Sequence, residues 1–126
     1  MIDLFGAPSP LTDSPPTSVS LLDTTLRDGD QAPGVALTAA EKVKIARKLD
    51  ETGMSVVEAG SACTGAGERE AIKRVVREDL DALVTSFARG LEGDVDHALD
   101  CGVDGVHIVV PASDRHVERK VGTDRE

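Results

Sequence analysis

The chain has 126 residues, 40% of them hydrophobic, which is enough for the packed core of one ordinary domain. Its 23 acidic against 14 basic side chains give a formal net charge of −9, which argues against nucleic acid or an anionic membrane surface as a partner. No apolar run reaches the ~18 residues of a membrane span, and no basic segment leads into a short apolar one, so the expected location is the cytoplasm. Cys63 and Cys101 are too few for a disulfide framework and match no zinc spacing; both read as reduced thiols near helix or strand ends.

Residues 1–18 hold Pro8, Pro10, Pro15 and Pro16 among Ser and Thr without periodicity, the pattern of a flexible N-terminal tail. From Val19 onward short apolar runs alternate with helical patterns. Strands are predicted at Val19–Leu22, Ser55–Ala59, Leu83–Ser86 and Gly105–Val110. Between the first two, Thr38 and Glu41 form a T-x-x-E capping box, Val43, Ala46 and Leu49 share a face, and Gly53 is placed to stop the helix. A second helix is predicted over Glu68–Arg77, with Ala71, Ile72, Val75 and Val76 as its apolar face. A third runs from Asp94 to Cys101 and stops at Gly102, and Ser113 and Val117 open a fourth.

Apolar strands joined by helical crossovers imply a parallel sheet, hence an α/β fold. The segment Leu49-Asp50-Glu51-Thr52-Gly53 resembles Leu99-Asp100-Cys101-Gly102, which suggests one βα module used repeatedly. Such units fit a (β/α)8 barrel, and no G-x-G-x-x-G follows a strand to favour a nucleotide-binding sheet. A full barrel needs roughly 250 residues, so residues 19–126 are expected to form the first four βα units, the N-terminal half of a barrel domain.

Chemistry concentrates in Leu22-Asp23-Thr24-Thr25-Leu26-Arg27-Asp28-Gly29-Asp30-Gln31, at the end of the first strand. In a parallel barrel the loops at the C-terminal strand ends build the site. There Asp28 has the oxygen chemistry for a hard divalent cation, and Arg27 the guanidinium to stabilise a substrate anion. On residues alone an ordinary solvated turn at Arg27-Asp28-Gly29 stays open as well. Glu58, at the end of the second strand, reads either as support for the site or as a carboxylate bonded to loop amides or an arginine. His107, inside an apolar strand, reads either as a buried structural histidine or as a substrate contact. His97 reads as a surface residue, and His116 as one that caps or orients the fourth loop.

The run D-T-T-L-R-D-G-D-Q resembles the signature of the 2-isopropylmalate, homocitrate and citramalate synthase family, and Lys42 follows Gln31 at that family's ten-residue spacing. Val57-Glu58-Ala59-Gly60 is similar to the family's I-E-A-G, Thr85-Ser86-Phe87-Ala88-Arg89 to the end of its third strand, and Val106-His107-Ile108 with Ser113-Asp114-Arg115-His116 to its V-H-I and S-D-x-H. The resemblance implies a TIM-barrel acyltransferase that condenses acetyl-CoA with a 2-oxo acid in leucine or lysine biosynthesis. It implies Arg27 as catalytic, Asp28 as a ligand of a divalent metal (Mg, Mn or Zn), and Gln31, Glu58 and His107 as substrate contacts.

The chain ends before the H-x-H segment that supplies the family's remaining metal ligands. It is therefore expected to be inactive alone and to need its C-terminal half or a homodimeric partner. Gly29-Asp30-Gln31 stands where G-E-Q is more usual, and Ser61-Ala62-Cys63-Thr64-Gly65 replaces the commoner aromatic and proline, which leaves the 2-oxo acid open. Two other readings remain: a non-catalytic, self-associating half-barrel, and a related metal-dependent lyase or aldolase, against which the lysine spacing counts.

Overall fold

In the computed structural model, which describes residues 18–121, the predicted helix start at Thr38 is present. The Thr38 hydroxyl accepts from the Glu41 amide, and the Glu41 carboxylate accepts from the Thr38 amide, so the capping box is complete. It opens α1 (Ala39–Glu51), which ends where Gly53 takes φ +78°. The expected N-terminal tail lies, apart from Ser18, outside the described residues.

The remaining elements follow in strict alternation: β1 (Leu22–Asp23) before α1, then β2 (Val56–Ser61), α2 (Ala66–Val76), β3 (Leu83–Arg89), α3 (Glu92–Leu99), β4 (Gly105–Val109) and α4 (Asp114–His116). A single turn of wider helix, Val117–Val121, continues α4. All neighbouring strands are parallel and the order is β1-β2-β3-β4. A doubly wound sheet reverses direction at a switch point; an unreversed order is how a barrel winds. The repeated module is visible in the backbone too, because Gly102 after α3 has φ +79°, nearly that of Gly53 after α1, and only a residue without Cβ enters that region without strain.

Boundaries moved where tertiary pairing decides them. β1 was expected at Val19–Leu22, but it pairs only through Leu22 with Val56 and Asp23 with Val57, leaving Val19 and Leu21 exposed. β3 runs three residues past Ser86, because Phe87, Ala88 and Arg89 pair with His107, Ile108 and Val109. α3 starts before Asp94, since that carboxylate reaches back to the Arg89 amide and so sits inside the first turn.

Helix-facing strand residues and the inner helix faces form one core: Val57, Ala59 and Val84 against Ala46, Ile72, Val75 and Ala98, with Leu26 sealing it beneath the first loop. Two carboxylates fasten strand entries, Asp50 accepting from the Ala82 amide (2.7 Å) and Asp104 from the Val84 amide (2.8 Å). Cys63 and Cys101 are free thiols, beside the end of β2 and past α3, as the sequence implied. Burial pushes the Cys101 thiol up from its ordinary value, which suits a packing residue. No helix among the described residues is long and apolar enough to cross a membrane.

Ile72 is fully buried at the centre of the α2 face. Ile72→Ala is expected to cost about 2–5 kcal/mol, measured by urea unfolding, whereas a loss below about 1 kcal/mol would mean that α2 does not pack as described.

Candidate active site

Strand alternation divides the sheet into two faces. Val84, Ser86 and Ala88 turn toward the helices and are buried, while Thr85, Phe87 and Arg89 turn the other way and are partly exposed. Glu58 is paired in register with Thr85, and Phe87 with His107, so Glu58, Phe87 and His107 share the face away from the helices. The register slips between Glu58 and Gly60, a bulge at the C-terminal end of β2.

Glu58 has no solvent exposure, and both its oxygens are engaged. Arg27 Nε donates to Oε2 at 2.7 Å, and His107 Nδ1 lies 2.8 Å from Oε1. A buried carboxylate is acceptor-only, so in the neutral imidazole this contact places the proton on Nδ1 and leaves the Nε2 lone pair free. The Arg27 guanidinium also donates through NH1 to Asp28 Oδ1 (2.9 Å) and lies 4.7 Å above the Phe87 ring centre, a cation–π distance. Its NH2 has no partner among the described residues.

Four of the five residues singled out from sequence, Arg27, Asp28, Glu58 and His107, therefore form one hydrogen-bonded chain. Gln31 does not join it; its side chain is exposed on the short turn Gly29–Gln31. Of the open readings of Glu58, the structure shows the carboxylate bonded to an arginine, and that bond fixes the Arg27 side chain beside it. His107 is neither fully buried nor free, with a side chain 40% exposed on the Glu58 face. His97 is exposed, as expected, and so is His116.

Sequence reading missed Phe87 and Glu68 as contributors, and named Lys42 only for its motif spacing. Phe87, noted only within its strand run, supplies the ring under Arg27. Lys42 is buried although charged, with Nζ 3.0 Å from the Leu26 carbonyl and 2.7 Å from Glu68. Its position on the Lys42, Ala46, Leu49 stripe was the available signal. Glu68 fits there because Gly60 has no Cβ; one would collide with Glu68 Oε1.

A second charged unit lies at the same end of the sheet. Arg89 grips Asp94 through Nε–Oδ2 (2.6 Å) and NH2–Oδ1 (2.9 Å), a bidentate pair that closes the β3–α3 turn. The guanidinium hydrogen bond holds the Asp94 carboxyl down at about 2, despite the opposing push of burial, and raises Arg89 in turn.

For a divalent metal, Asp28 is the fitting donor: its carboxylate is exposed, and only Oδ1 is committed, to Arg27. Among the described residues no three His, Cys, Asp or Glu side chains converge to hold an ion, so Asp28 by itself does not make a closed site. Arg27 brings one positive charge to the two negative charges of Asp28 and Glu58. A divalent cation at Asp28 would tip that balance to positive, suited to an anionic substrate.

The HMGL-like family model matches residues 18–126. The chain belongs to the HMGL-like family. Over 103 residues it is 55% identical to "(R)-citramalate synthase CimA" of Methanocaldococcus jannaschii, covering 82% of this chain and 21% of the relative. It is 49% identical over 111 residues to "Probable 2-isopropylmalate synthase" of Methanopyrus kandleri, covering 88% and 22%. The chain thus spans about a fifth of the length of the curated relatives it matches. Crystalline HMG-CoA lyase of Bacillus subtilis superposes with a TM-score of 0.69 at 20% identity, over 86% of this chain and 38% of that one, a likeness that shows the fold. In the HMGL-like frame the four βα units are part of a TIM-type barrel, and the Arg27–Glu58–His107 chain lies on the face away from the helices.

The Asp94 carboxyl, ordinarily near 3.8, is held near 2, so its contribution is complete above pH 3.8 and lost as pH falls through about 2. Asp94→Asn is expected to lower the thermal midpoint at pH 7 and to lose less than the native chain between pH 4 and 2. Parallel pH profiles for the two proteins would contradict the pairing.

Proposed function

We propose that residues 19–126 are the N-terminal half of the barrel of a cytoplasmic acyltransferase that condenses acetyl-CoA with a 2-oxo acid. The observation that carries the reading is the Arg27 guanidinium, fixed by buried Glu58 and stacked on Phe87, beside the exposed carboxylate of Asp28. The identity to synthases named for citramalate and isopropylmalate supports it. Those product names correspond to 2-oxo acids with a methyl or an isopropyl side chain, and a small apolar side chain is the proposed specificity.

In the reaction the acetyl methyl group loses a proton and its carbon bonds to the keto carbon of the 2-oxo acid, whose C=O π pair moves to oxygen and takes up a proton to give a hydroxyl; water then cleaves the thioester to a carboxylate and free CoA. A divalent metal bound at Asp28, with Mg, Mn or Zn all suited to its oxygen, would polarise the keto group for attack. Arg27 binds through its unpartnered NH2, opposing negative charge as it develops on oxygen. Because Nε and NH1 are already tied to Glu58 and Asp28, it need not reorganise during the step. His107, its tautomer held by Glu58, offers the Nε2 lone pair as acceptor to the hydroxyl that forms from the keto group, and Gln31 on the rim is a further substrate contact in this reading.

The remaining metal ligands and the base for the acetyl proton lie outside this cluster. Further βα units would bring them while covering Leu21 and Leu22 at the β1 edge and Ile108, Val109 and Val110 at the β4 edge.

The test is a graft: residues 18–121 replace the matching segment of the M. jannaschii relative, and CoA release is followed with acetyl-CoA and each 2-oxo acid. A folded graft is expected to turn over. Arg27→Ala within it is expected to reduce kcat by about 10²–10³-fold. A folded graft that releases no CoA would refute the assignment.

A further inference from the structure

We propose that Lys42 is a positioning residue, which holds the Arg27–Asp28 pair in place through a buried charge hub joining the first and second loops. The proposal rests on the reading of Arg27 as a substrate-facing group.

Lys42 is 1% exposed, and three oxygens, two from the first loop and one from α2, surround its ammonium group. The Leu26 carbonyl is 3.0 Å away, Glu68 Oε1 2.7 Å and Asp30 Oδ2 3.1 Å. Leu26 and Asp30 bracket Arg27 and Asp28 in the chain, so Lys42 grips the loop on both sides of the pair that carries the chemistry. The same loop is stapled internally, since the Arg27, Asp28 and Gly29 amides all donate to the Thr24 carbonyl. It therefore moves as one piece when its anchor moves.

Each acceptor is itself fixed. Asp30 Oδ1 accepts from the Leu37 amide at 2.9 Å. Burial pushes the Asp30 carboxyl up, but the Leu37 amide and Lys42 together outweigh it and leave the group below its ordinary value. Glu68 Oε1 also accepts from the Ser61 amide at 3.3 Å, at the end of the strand that carries Glu58. The hub thus spans both sides of the Arg27–Glu58 contact: Leu26 and Asp30 lie on the Arg27 loop, and Ser61 lies three residues beyond Glu58. A buried ammonium without this full set of oxygens would be costly, so the geometry is enforced by the charge itself.

Arg27 Nε–H donates to a fully buried oxygen, so its exchange with solvent reports whether the pair is in place, without any turnover. In ¹H–¹⁵N spectra of the native chain this proton is expected to exchange slowly. Lys42→Met keeps the length and removes the charge; it is expected to speed exchange at Arg27 Nε at least tenfold while the Val57 and Ile72 amides keep their protection. Unchanged Arg27 protection in folded Lys42→Met would overturn the proposal, and so would a uniform loss across the core, which would mark a merely structural lysine. If Lys42→Met does not fold, Asp30→Asn decides, since it retains an acceptor for Leu37 while removing the charge and the oxygen that faces Lys42. It is expected to accelerate Arg27 Nε at least threefold, and no change there overturns the proposal. A silent graft would sink the functional reading and leave these exchange results intact.

Discussion

A carboxylate sealed from water must be met by donors, and Glu58 is the carboxylate around which this site is arranged. Its two oxygens draw in Arg27 from the loop after β1 and His107 from β4, so one buried charge ties together groups 31 and 49 residues away in sequence. Removing either donor would leave part of a buried charge unsatisfied. The strand order brings those three segments to one side of the sheet, and the bulge beyond Glu58 turns β2 into the Ser61–Thr64 turn above.

The second constraint is of opposite sign. Lys42 is a buried cation whose oxygens come from the first loop and from α2, and Gly60 leaves the space that Glu68 needs to reach it. Buried charges of this kind add little net stability, because desolvation offsets their attraction, but they tolerate few alternative geometries. The hydrophobic core supplies the stability, and the Glu58 and Lys42 centres supply the placement. Placement is what a transition state requires, since a guanidinium held in advance spends nothing on reorganisation when charge develops.

Much of this could be read from the chain. Thr38 and Glu41 marked the start of α1 because a capping box is satisfied locally, and Gly53 and Gly102 marked helix ends because their left-handed backbone is a local requirement. Arg27 and Asp28 were placed correctly at the first strand end. What remained hidden depends on distant partners. Nothing near Glu58 in sequence announces His107 as its partner, β1 is cut short by the extent of its pairing with β2, and Asp94 enters α3 because Arg89 claims its carboxylate. Lys42 lay between: its stripe with Ala46 and Leu49 pointed inward, but only the oxygens gathered around it make a buried ammonium tolerable. Gln31, singled out through a motif, illustrates the reverse case, a residue whose motif position does not bring it into the hydrogen-bonded cluster.

The most direct measurement is the tautomer of His107, from long-range ¹H–¹⁵N correlations of the ring at a pH where the imidazole is neutral. Glu58 as the organising acceptor predicts a proton on Nδ1 and a bare Nε2, with the Nδ1 proton shifted downfield by its carboxylate partner. A neutral ring protonated at Nε2 would mean that Glu58 does not hold His107, and the account of the site built around that buried charge would be wrong.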